Sequence, residues 1–104
     1  MANQPLVKQP VVYMMASGKN GTLYLGVTMN LRERLWQHKN GIIPDSFSSR
    51  YGVKKLVWYE CFESMPVAIA REKALKKWRR EWKIRLIEED NPDWLDLSHT
   101  VMAG

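Results

Sequence analysis

Val11-Val12-Tyr13-Met14-Met15-Ala16, Ser17-Gly18-Lys19-Asn20-Gly21 and Thr22-Leu23-Tyr24-Leu25-Gly26-Val27-Thr28 are three consecutive stretches of different character. The outer two are rich in β-branched and aromatic residues and the middle one is a cluster of turn formers, so the segment reads as a β-hairpin. Along the second strand Leu23, Leu25 and Val27 belong against a core, whereas Thr22, Tyr24, Gly26 and Thr28 form a polar, open side. A register that sets Tyr13 opposite Tyr24 would place both hydroxyls on one face, with Gly26 leaving space beside them. The hairpin loop permits that register without requiring it. Taken singly, each tyrosine is also an ordinary strand residue with no function beyond packing.

Beyond the hairpin the period changes. Asn30 is placed to cap a helix, with Glu33 three residues on in capping-box spacing, and Gly41 follows His38 and Lys39 as a stop, so the spacing predicts a helix from Leu31 to Asn40. Ile42 to Gly52 reads as a loop, and Val53 to Phe62 as a third strand in which Leu56, Trp58, Glu60 and Phe62 alternate with Val57, Tyr59 and Cys61. Ser64 and Pro66 open a second helical region whose pattern runs through Ala68, Leu75, Trp78 and Trp82, with a break expected near Trp78 to Glu81. Asn91-Pro92 ends it, because the residue before a proline is pushed out of the α region. Asp93 to Gly104 reads as a tail, pinned by Trp94 and Leu97. The order β-β-α-β-α-α makes a small α/β domain without internal repeats.

At 104 residues the chain is sized for one domain, and 45% hydrophobic with 26% charged residues is a globular balance that excludes a disordered polyelectrolyte or a fibrous repeat. We assign the domain to residues 10–97, with an N-terminal extension at 1–9 and a C-terminal tail at 98–104. The longest apolar run, Val11 to Ala16, is far short of a membrane span. Residues 1–10 lack the apolar core of a secretory signal, and Cys61 is the only cysteine, which together point to the cytoplasm. The net charge of +5 is unevenly placed. Residues 71–85 carry eight Lys/Arg against two Asp/Glu, whereas residues 86–104 carry five acidic residues and no Lys or Arg. A basic segment of that kind suits a polyanionic partner, nucleic acid first, although a solvated helix face would have the same composition.

Two polar side chains on the first helix face inward. At 100° per residue Arg34 lies about 60° and His38 about 20° from Leu31, on or beside the apolar stripe of Leu31 and Leu35. They are either a snorkelling arginine with a satisfied core histidine or a pair placed for chemistry. On the later helix Glu72 lies about 40° from the line of Ala68, Leu75 and Trp82. Its alternatives are a surface ion pair with Lys76 at i+4 or a carboxylate that holds a divalent cation.

These residues together carry a resemblance. Val11-Val12-Tyr13, ten residues, Tyr24-Leu25-Gly26, then Thr28, Asn30-Leu31, Arg34 and His38 resemble the GIY-YIG nuclease superfamily. Phe47-Ser48-Ser49-Arg50-Tyr51, Leu56 to Glu60, Ala68 to Trp78 and Asn91-Pro92-Asp93-Trp94 look like its short, single-domain bacterial branch, sometimes called YhbQ-like. The resemblance implies a three-stranded antiparallel sheet flanked by helices and a metal-dependent endonuclease acting on nucleic acid, DNA favoured over RNA, in repair, recombination or processing. It also implies one divalent ion, Mg2+ or Mn2+, on Glu72, and catalytic roles for Tyr13, Tyr24, Arg34 and His38. The departures are Val11 for the first glycine of the naming motif and Leu25 for its isoleucine.

The chemistry matches those residue types. Arg34 offers a planar fork to two phosphate oxygens, and an ion on Glu72 would neutralise phosphate charge. Tyr13 is favoured as the base that activates water, with Tyr24 orienting water or phosphate, provided that nearby cations lower a phenol pKa of about 10. His38 would hydrogen-bond a tyrosine. Lys73, Lys76, Lys77, Arg79 and Arg80 would hold the nucleic-acid backbone. The competing classes are a non-catalytic nucleic-acid binder on the same scaffold and a protein-interaction module using the tryptophans and the acidic end.

Overall fold

The computed structural model describes residues 9–40 and 52–103. The loop expected at Ile42 to Gly52 falls outside them except for Gly52, as do the stretch from Phe47 to Tyr51 and residues 1–8 of the proposed extension. The strands are β1 (Val11–Ala16), β2 (Leu23–Thr28) and β3 (Lys55–Cys61), and the helices are α1 (Leu31–Lys39), α2 (Met65–Lys76), α3 (Arg80–Asp90) and α4 (Ser98–Ala103). The sheet is three-stranded and antiparallel in the order β2-β1-β3, so β1 is central. That position explains why all six of its residues are buried while β2 is only partly covered.

Both faces of the sheet are packed. Val12, Met14 and Ala16 join Ala68 and Leu75 of α2, Ile87 of α3 and Trp94, with Leu23, Leu25 and Val27 against them. Val11, Tyr13 and Met15 point the other way, against Leu31 and Leu35 of α1, Leu56, and Val101 of α4. The tyrosine side of the hairpin is therefore not the open face that its composition suggests; α1 and α4 cover it, and Tyr13 is fully buried.

Several local expectations are refined. In the hairpin, Tyr13 stands opposite Gly26, and Tyr24 opposite Met15. The tyrosines are thus diagonal neighbours on one face rather than a direct pair. In β3 the strict alternation fails, because the register with β1 slips between Met14 and Met15: Met14 faces Trp58 and Met15 faces Leu56, leaving Val57 as the extra residue of a bulge. Leu56 and Trp58 consequently pack on opposite faces.

Asn30 caps α1 by accepting from the Glu33 N–H at 3.1 Å, as its spacing predicts. The second helical region breaks between Lys76 and Arg80, without a Gly or Pro. The break re-phases α3, and Trp82, expected on the apolar line of Ala68 and Leu75, is 44% exposed. The terminal segment is more ordered than a tail: Ser98–Ala103 is helical, and Val101 is buried in the core.

Candidate active site

β1, β2 and α1 bring three of the expected residues into contact. The Tyr13 hydroxyl lies 3.1 Å from Nε2 of His38. The Tyr13 and Tyr24 ring centroids are 6.1 Å apart, and His38 sits edge-on to both, at 5.9 Å and 5.1 Å. Capping by Asn30 sets where α1 begins, and from there the helical period carries His38 round to the sheet beside Leu31 and Leu35. Gly26 completes the arrangement: a Cβ at that position would stand 2.7 Å from Tyr13 Oη and 2.8 Å from Cζ. The ring of Tyr13 lies directly over a backbone that has no side chain.

The electrostatics follow from burial. Tyr13's phenol is pushed above its ordinary value, first by burial and then by Tyr24, and the Arg34 guanidinium only partly offsets this. The expected lowering by a nearby cation is present in sign and loses in magnitude. His38 is pushed down to about 4, first by burial and then by the charge of Arg34. At neutral pH the cluster is thus a neutral phenol against a neutral imidazole, with one guanidinium acting on both.

Glu72 is placed differently. It lies on α2, whose Ala68 and Leu75 pack on the sheet face opposite Tyr13. Its carboxylate pairs with Lys76 Nζ at 2.8 Å, and the Glu72 side chain is 12% exposed against 56% for Lys76. The i+4 ion pair is therefore real, but its acidic half is mostly covered rather than at the surface. A cavity of about 270 Å³ lined by Met14, Leu23, Tyr24, Leu25, Lys76 and Lys83 joins this helix to the edge strand that carries Tyr24. Among the described residues no three of His, Cys, Asp and Glu gather as a ready cage. A lone, largely covered carboxylate fits an ion such as Mg2+, which takes one or two protein carboxylates and fills the rest of its shell with water and phosphate oxygens.

The basic residues differ among themselves. Lys73, Lys77 and Arg79 are exposed on and just after α2, the Arg79 guanidinium resting 5.4 Å over the Trp82 ring. Arg80 is instead tied down, donating from Nη2 to the carbonyls of Asn20 (2.7 Å) and Gly21 (2.6 Å) in the hairpin turn.

Sequence reasoning missed Asn91 and Asp96. Asn91 is buried; its Nδ2 donates to the Val57 and Leu95 carbonyls, and its Oδ1 accepts from Leu95 N. Asp96 accepts from Lys39 Nζ, Leu56 N and Ser98 N. Asn91-Pro92 signals a helix end, but nothing local shows that the strand it serves is bulged.

The GIY-YIG catalytic domain matches residues 9–85, a span that includes both tyrosines, α1 and all of α2. A UPF0213 protein of Syntrophus aciditrophicus is 35% identical over 72 residues, covering 69% of this chain and 82% of the relative. One from Clostridium perfringens is 39% identical, covering 66% and 73%, and one from Bacillus licheniformis is 34% identical, covering 81% and 86%. The solution NMR structure of a UPF0213 protein from Bacillus halodurans is 26% identical, with a TM-score of 0.48 over 77% of this chain and 83% of that one. With the matched span holding the Tyr13–His38 contact and the helix of Glu72, this chain belongs to the GIY-YIG family, among the UPF0213 proteins.

Proposed function

We propose that this protein is a divalent-metal-dependent endonuclease that hydrolyses phosphodiester bonds of nucleic acid, with DNA as its first substrate. The observation that carries the reading is the Tyr13–His38 hydrogen bond beside Tyr24, under the charge of Arg34, in a chain of this family. A buried phenolate is costly, so Tyr13 is a poor base acting alone. With His38 in the tautomer that leaves Nε2 unprotonated, Tyr13 passes its own proton to Nε2 as it takes one from the attacking water, a step that requires substrate binding to admit that water to the buried hydroxyl. The ring then stays neutral throughout, and the positive charge that forms on His38 is offset by the bound phosphate. Arg34 grips two phosphate oxygens and favours the charge that builds on them in the transition state. Glu72 would hold the cation, which supplies Lewis-acid charge neutralisation at the phosphate when bound. Lys73, Lys77 and Arg79 would take neighbouring phosphates without reading sequence.

The test is cleavage of plasmid and single-stranded DNA with Mg2+. Glu72→Ala and Arg34→Ala should keep the wild-type circular dichroism and lose at least about 100-fold in rate, the scale of one lost transition-state contact. Equal cleavage by wild type and Glu72→Ala overturns the proposal. The Glu72–Lys76 pair favours a second reading, a non-catalytic nucleic-acid binder in which this carboxylate is purely structural. Binding that needs no metal and is never followed by cleavage would establish that alternative.

A further inference from the structure

Lys76 does two things that belong to different sites. Its Nζ is 2.8 Å from Glu72 Oε2, and the same side chain lines the cavity between the edge strand and the helices, with Tyr24 and Lys83. The pair is lopsided, because the carboxylate is largely covered while the lysine is mostly exposed and its long stem is free to swing. A half-buried carboxylate has to be neutralised by something, and here the something is an ammonium. An ammonium held 2.8 Å from Oε2 repels a divalent cation on the same carboxylate, so each weakens the other's hold.

We propose that Lys76 is a resident stand-in for the metal ion on Glu72, and that a nucleic-acid phosphate entering the cavity beside Tyr24 draws Lys76 away and opens Glu72 to the cation. The cavity provides two cations for that phosphate, Lys76 and Lys83, from separate helices. The consequence is a coupling between two binding events: metal binds weakly to the free protein and more tightly once a phosphate has claimed the lysine. By reciprocity the metal raises the affinity for the phosphate by the same factor. Lys76 thus has two partners, the Glu72 carboxylate in the free protein and the phosphate in the complex. The inference rests on Glu72 as the metal-holding carboxylate.

The experiment is a Mn2+ titration followed by electron paramagnetic resonance of the free ion, with and without a saturating 5′-phosphorylated dinucleotide. Lys76→Met should bind Mn2+ about fivefold more tightly than wild type, at the low end of common site-to-site couplings, and should gain less from the dinucleotide than wild type does. Wild type should tighten towards the Lys76→Met value when the dinucleotide is added. Unchanged Mn2+ affinity in Lys76→Met, or tightening by the dinucleotide that is as large in Lys76→Met as in wild type, overturns the inference. Glu72→Gln separates the two layers. If it binds Mn2+ as well as wild type does, the metal is elsewhere and the reading of Glu72 fails. If it abolishes Mn2+ binding while Lys76→Met is silent, only the stand-in role fails. Lys76 is an exposed helix residue, and methionine keeps its long stem and its helix propensity, so Lys76→Met should remain folded.

Discussion

Gly26 does its work by lacking a side chain. A methyl group there would meet Tyr13 at Oη, Cζ and Cε1, at 2.7 to 3.0 Å, and the ring has nowhere to retreat because it is fully buried. Gly26→Ala should therefore force Tyr13 off His38 only by displacing the side chains packed around it. We expect a loss of about 1–3 kcal/mol of stability, the usual cost of overpacking a core, together with a fall in cleavage much larger than that of an equally destabilised core variant such as Leu75→Val. Chemical denaturation and cleavage rates measured on both variants check this; parallel losses would show that Gly26 matters only for packing. The glycine was legible in the sequence as space beside the tyrosines, but which tyrosine filled the space was not, because that depends on a register the loop alone leaves open. His38 was legible as an inward-facing residue, since a helical period fixes direction without knowledge of the fold. Its depressed pKa was not, because burial by α1 against the sheet is a property of the packed molecule.

At the scale of elements, the bulge in β3 organises the segment that follows α3. The Leu56 N–H is taken by Asp96, the Leu56 carbonyl by Leu97 N at 2.7 Å, and the Val57 carbonyl by Asn91. All three groups belong to the two residues at the slip, and all three bond to residues 91–97. Burial would raise the Asp96 carboxyl, yet its bonds from Ser98, Lys39 and Leu56 outweigh that and hold it at about 2. Trp94 adds an anchor, its ring buried in the core and its Nε1 donating to Glu88 at 2.7 Å, on a backbone with φ of +56°. Asn91→Ala removes three hydrogen bonds and strands the partners it leaves inside, for which we expect a loss of about 2–4 kcal/mol. For a domain of this size that lowers the melting midpoint by roughly 10–20 °C. A shift of only a degree or two in a thermal scan would mean that residues 91–97 are not held by this side chain. Helices and strands were readable from period and turn chemistry, whereas the bulge was not, since one extra residue leaves a strand pattern intact on either side of it. The terminal helix α4 escaped for a related reason: six residues are too few to display a period, and only the core that receives Val101 makes them helical.

For the whole molecule, the map of charge gains meaning once occupied groups are set apart from available ones. Of the basic stretch 71–85, Arg71 pairs with Glu60 at 3.3 Å, Arg80 clamps the hairpin turn and Lys76 sits on Glu72. Of the acidic end, Glu88 holds Trp94 and Asp96 holds Lys39, so part of that negative charge is spent inside the fold rather than offered to a protein partner. The sequence shows the imbalance but not this division, because a charged residue's contacts are decided by what folds next to it. Lys73 and Lys77, both exposed, are among the cations left for a phosphate backbone under the proposed function, and each phosphate so neutralised would release condensed counterions. The affinity for duplex DNA, measured by fluorescence anisotropy between about 50 and 200 mM salt, should fall log-linearly, and the Lys73→Ala/Lys77→Ala variant should flatten that slope by about 2. Arg80→Ala should leave the slope unchanged while lowering the melting temperature, because its guanidinium is already held by the Asn20 and Gly21 carbonyls. If Arg80→Ala flattened the slope as a lysine does and left the melting temperature where it was, the clamp would not be what occupies this arginine in solution, and the partition of charge derived from it would have to be redrawn.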